Sequence, residues 1–209
     1  MFTGADDGNK QSVSIEWKPF QLDASFPDKA EPMDEYIQKR FGPRGAQMLD
    51  NIRSAGVPDG AMFANTKWRC NTMKALQLVD YARDRGIESS ITKAALFEAM
   101  YEKGQDVSDI GVLTRIAQSI GLLHSDNDST SDSDKEKSIT EEQAELRHFL
   151  TNNVGKARVE KDIQDGRQKY GISGVPFFVV QGSDNSQRPI AFSGAQPTET
   201  FLEVFEELN

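Results

Sequence analysis

The sequence predicts an α/β layered domain carrying a long helical insertion. Two observations point there. Near the C-terminus an unbroken apolar run, residues 177–180, is followed after a polar turn by a second strand-like stretch, residues 189–193. Such a pair reads as an antiparallel hairpin. Between an alternating stretch at residues 12–17 and that hairpin, every apolar pattern has helical spacing. Helices segregated from strands in this way belong to a layered α/β domain with an insertion.

The chain has 209 residues, enough for one domain with an ordinary core. Hydrophobic residues make up 37% and charged residues 27%, as expected of a globular protein with a polar segment diluting its core. A net charge of −9 argues against nucleic acid and anionic membrane as partners. No apolar stretch approaches the length of a membrane span, so no membrane partner is expected. The polar start lacks the basic and apolar regions of a secretory signal, which predicts a cytoplasmic protein. One cysteine, Cys70, cannot form an internal disulfide, and His124 and His148 stand apart. No metal site and no cofactor are therefore expected.

Residues 1–11 read as a disordered tail. Residues 12–17 alternate polar and apolar side chains, which predicts a strand. Trp17 and Phe20 read as core anchors. Helices are expected from Asp34 to Arg40 and over residues 44–55, with Met48, Leu49 and Ile52 on one side. Trp68, in the polar run 67–69, is either an exposed contact residue or a lid on the core. Asn71 or Thr72 caps a helix with Met73, Leu76, Val79 and Ala82 at helical spacing. Ser90 caps the next, with Leu96, Phe97, Met100 and Tyr101 buried. Asp109 opens another, with Leu113, Ile116, Ala117 and Ile120 on one stripe.

Residues 124–137 are rich in serine and aspartate and hold no large apolar side chain, which predicts an acidic disordered loop. Ser129, Ser131 and Ser133 each have an acidic residue three positions on, as acidophilic kinases prefer. Helix resumes at Thr140, where Thr140 and Gln143 have capping-box spacing. Val159, Ile163, Gly166 and Tyr170 share a face of the helix that Gly171 ends. Val175 precedes a proline and is pushed to extended geometry. Pro176 lacks an N–H and suits the first position of a strand. Pro197 suits the first turn of a last helix.

Gly174-Val175-Pro176-Phe177-Phe178-Val179 resembles the cis-proline loop of thioredoxin-fold proteins, specifically the DsbA-like family and its FrnE branch. The segment from Trp17 to Leu22, Asn71-Thr72 with Ala75 and Leu78, the segment from Ala94 to Phe97, Gly104, and Ser193-Gly194-Ala195-Gln196 resemble the same branch. The resemblance implies a thioredoxin-like, DsbA-type fold, with a helical insertion at about residues 24–170 of a domain spanning 12–209. It implies a protein disulfide oxidoreductase acting on a polypeptide or small thiol. Gly174, Val175 and Pro176 would be the substrate-binding loop, and Val175–Pro176 a cis bond. The family's first strand, Cys-x-x-Cys pair and first helix have no counterpart here, so no catalytic residue is carried over and dithiol exchange is not expected of the chain as written. Where the family commonly has His and Arg after the alanine, this chain has Leu76 and Gln77.

Cys70 is the one possible reactive thiol. It is expected to be half-buried or at the surface, beside a helix start that lowers its pKa. Two other functions remain open: a non-redox peptide-binding or chaperone-like module, and a glutathione transferase or isomerase of the kappa type. Without the family's first strand, residues 12–17 and the hairpin would flank an unfilled slot. The strands then close on each other, take a strand from another chain, or leave the chain prone to associate through exposed sheet edges. The last two are the expectation, including a homo-oligomer.

Overall fold

The computed structural model describes residues 13–61, 63, 65–124, 133–182 and 187–208. The expected disordered tail at 1–11, the phosphorylatable Ser129 and Ser131, and most of the predicted acidic loop lie outside the described residues.

Among the described residues, seven α-helices precede a hairpin and an eighth α-helix follows it. Helix α1 (Met33–Phe41) and helix α2 (Pro43–Gly56) are joined by Gly42, whose φ of 59° only glycine adopts easily. Strand β1 (Glu31–Pro32) pairs antiparallel with β2 (Trp68–Arg69), a short ribbon that ties α1 to the segment leading into α3. Trp68 is half-buried and its indole Nε1 donates to Gly104 O at 3.0 Å. That contact ties Trp68 to the loop that follows the π-helical turn at Glu98–Glu102, so it is not a freely exposed residue.

Helix α3 (Met73–Arg83) is the central element. It packs against α4 (Ser89–Phe97), α5 (Ile110–Ser119), α6 (Ser133–Thr151) and α7 (Lys156–Tyr170). A helix touched on so many sides is buried nearly all round. Leu78, Tyr81 and Ala82 are buried, and so are Gln77 and Asp80. Leu78, Leu96, Leu113, Ile116, Leu146 and Leu150 form the main core with them, and Met73, Val159 and Ile163 form a second cluster. Asp80 is held by Arg83 on its own helix and by Arg158 of α7. Helix α4 runs directly into a π-helical turn, Glu98–Glu102. Its cap residue is Glu88, with no side-chain hydrogen bond, where Ser90 was expected. Asp109 caps α5 as expected, accepting from Val112 N at 2.8 Å.

Three expectations are corrected. The strand expected at residues 12–17 is not seen in its described part: residues 13–17 have no regular structure, and Ile15 is 73% exposed. Alternation yields a strand only where a neighbouring strand takes its hydrogen bonds, and none does so among the described residues. Trp17 is consequently 38% exposed with Lys93 over its ring, so it is no core anchor; Phe20 is half-buried beneath Arg167. Helix α6 begins at Ser133, so residues 133–137 of the predicted loop are helical and Thr140 lies within the helix. Lys135, Glu136 and Lys137 are good helix formers, and neither glycine nor proline interrupts them.

Candidate functional site

The loop after α7 is built by local rules. Gly171 adopts φ 66° and closes the helix, its N–H donating to Arg167 O at 3.1 Å. The chain then turns through Gly174 and Val175, and the Val175–Pro176 bond is cis. Strand β3 (Phe177–Val180) leaves the loop and pairs antiparallel with β4 (Ile190–Ser193), Phe178 opposite Phe192. Gly194 N donates to Pro176 O at 2.8 Å and fastens the loop to the far end of β4.

Helix α8 (Thr198–Glu207) covers one face of the hairpin. Phe201 meets Phe178 edge-on at 4.9 Å and Phe192 at 5.3 Å, and these two stack at 5.2 Å. The pleat sends Val179 and Ala191 to the opposite face, where both are exposed. Val175 is 50% exposed and Pro176 is exposed beside it, while Gly174 is half-buried. Among the described residues β3 has a strand on one side only. The three predicted loop residues thus lie together, next to an apolar face and an unpaired strand edge.

Cys70 is not the half-buried or surface thiol expected. It is 1% exposed, inside the main core. Its thiol is pushed up to about 11, first by burial and then by the Asp106 carboxylate, to which it donates a hydrogen bond. Asp106 is oriented by its own turn: its Oδ1 accepts from Ser108 N at 2.8 Å and from Ser108 Oγ at 2.6 Å. Hydrogen bonds from Ser108 favour the thiolate, but desolvation and a negative neighbour outweigh them, so the expected lowering beside the start of α3 does not occur. Asn71 rather than Thr72 supplies the cap, its Oδ1 accepting from Met73 N at 3.0 Å and from Gln21 Nε2 at 2.8 Å. Gln21 is buried, and its backbone carbonyl oxygen accepts from Arg167 Nη2 at 2.8 Å. This chain of contacts joins the segment after Trp17, the start of α3, and α7. Asp106 and Ser108 carried no signal in the sequence, and Gln21 only as part of the Trp17–Leu22 resemblance.

The sequence model of the DSBA-like thioredoxin domain matches residues 4–146. The chain belongs to that family. A crystal structure of a probable DsbA oxidoreductase from Streptomyces coelicolor is similar to this DsbA-like domain, with a TM-score of 0.64. The match covers 90% of this chain and 72% of that one at 20% sequence identity, a level at which the likeness speaks for the fold. No curated protein matches the DsbA-like domain. Its fold is the thioredoxin-like DsbA type, rich in helix with few strands. Among the described residues no helix is long and apolar enough to cross a membrane.

Proposed function

We propose that this DsbA-like domain is a FrnE-type homologue of the protein disulfide oxidoreductases that presents a substrate loop without a reactive thiol of its own. Thiol–disulfide exchange begins with a thiolate attacking a disulfide sulfur, and a second cysteine resolves the mixed disulfide. These 209 residues hold one cysteine. The observation that carries the reading is its state: Cys70 is buried, and burial together with Asp106 holds it protonated. The substrate class is a polypeptide or small thiol, as in the family.

A second reading, a non-redox peptide-binding module, is supported by Val175 and Val179, exposed beside an unpaired strand edge. An extended chain adds to such an edge through main-chain hydrogen bonds. The same edge suits a second copy of this chain.

Insulin reduction by dithiothreitol tests the first reading. The chain should not accelerate it, and Cys70→Ser should change nothing; acceleration abolished by Cys70→Ser would overturn the proposal. Fluorescence anisotropy with a labelled unfolded peptide tests the second. Binding weakened about tenfold or more by Val175→Asp supports it, and binding indifferent to that change removes it.

A further inference from the structure

A cleft of about 500 Å³ lies between α1 and the β1–β2 ribbon, lined by Glu31, Pro32, Glu35, Tyr36, Lys39, Arg40 and Arg69. Its volume falls within the range of about 300–1,000 Å³ usual for small-molecule sites. Arg69 is its fixed element. The guanidinium lies between the rings of Phe26 and Tyr36, with its carbon 4.1 Å and 4.0 Å from their centroids, and Nη1 pairs with Glu31. Its buried Nε has no hydrogen-bond partner. Stacking and the ion pair together hold the plane of the donor fork.

Pinning the β1–β2 ribbon accounts for Arg69 alone. Lys39 and Arg40 stand in the last turn of α1, where the helix dipole favours cations, yet both also line this cleft. Three cations thus face two carboxylates, Glu31 and Glu35, in a chain whose net charge is −9. Asp23 lies outside the lining but within the field of Arg69 and Arg40. With Asp23 counted, three cations stand against three carboxylates, so the cleft carries no net charge in a chain of net charge −9, and an anion meets less repulsion there than over an acidic surface. Glu31 is taken by Arg69, so Glu35 gives an ammonium a place, and Tyr36 and Pro32 give an apolar stem a surface.

The geometry points to a binding site for a small acidic zwitterion, an acidic amino acid or short acidic peptide, whose carboxylates meet Arg69, Arg40 and Lys39. This site is separate from the loop at Gly174–Pro176 and does not depend on the edge-binding reading.

Titration of the ¹⁵N-labelled chain with L-glutamate and with the tripeptide Glu-Ala-Glu tests it. Saturable shifts centred on residues 31–40 and 69 are expected. The neutral analogue Gln-Ala-Gln amide should bind at least about tenfold more weakly, as should the surface variant Lys39→Gln/Arg40→Gln with the acidic peptide. Val175→Asp should leave this binding unchanged. The proposal is overturned by absence of saturable binding up to about 10 mM. It is equally overturned by shifts centred elsewhere, by equal affinity for the neutral peptide, or by affinity insensitive to Lys39→Gln/Arg40→Gln.

Discussion

The thiol of Cys70 lies in the main core and donates to the Asp106 carboxylate at its margin, and burial first and this contact second set how the thiol responds to alkali. The folded thiol titrates at about 11, against an ordinary value of 9.0. A raised folded pKa means the folded state holds its proton longer than the unfolded state. The stability it contributes is complete below the unfolded pKa and is lost as pH rises through the folded one. The window is therefore about 9 to about 11, and the loss across it is about 2–3 kcal/mol. Burial also raises the phenols of Tyr81 and Tyr101, which add to alkaline destabilisation in the same sense. Urea unfolding of wild type and Cys70→Ala at pH 7 and about pH 10.5 isolates the thiol's share. The variant should lose less stability between the two conditions; equal losses would refute the assignment.

The side chain of Gln77 closes the turn between α6 and α7. Its Oε1 accepts from Gly155 N at 3.1 Å and its Nε2 donates to Asn153 Oδ1 at 3.1 Å. Gln77 is fully buried, so Gln77→Ala leaves the Gly155 N–H without that acceptor in the interior. The expected cost is about 1–3 kcal/mol, with protection of the Gly155 amide falling in hydrogen exchange. An unchanged unfolding midpoint would show that water replaces the side chain without penalty.

Gly166 sits in the interior of α7, and a Cβ added there would meet only Ile172 Cδ1, at 3.4 Å. That is an ordinary contact with the tip of a flexible side chain. Gly166→Ala should therefore stabilise by about 0.5–1 kcal/mol, seen as a rise in the melting temperature of about 1–4 °C. A fall would mean that Ile172 cannot give way.

What the sequence made legible was set by neighbours along the chain. Asp109 capping α5 and Gly171 closing α7 each follow from one residue and its immediate context. What it hid depends on distant partners. The alternation at residues 13–17 resembles a strand, but pairing belongs to a partner strand, not to the segment. Cys70 sits beside a helix start, and only the fold brings Asp106 and Ser108 onto it from the loop before α5. Arg69 reads as one more charge in a polar run until Phe26 and Tyr36, from separate segments, close over its two faces. The polar composition of residues 133–137 concealed a helix because helix propensity there outweighed the absence of apolar anchors.

The central claim is that the one thiol of these 209 residues is chemically silent in the folded state. The rate of thiol labelling by an aromatic disulfide at about pH 8 tests it most directly, measured for the native chain and for the chain in urea. A folded pKa of about 11 against 9.0 reduces the thiolate fraction about 100-fold, and burial slows access further, so native labelling should be slower by at least that factor. Native labelling as fast as that of the unfolded chain would contradict the account and restore Cys70 as a working nucleophile.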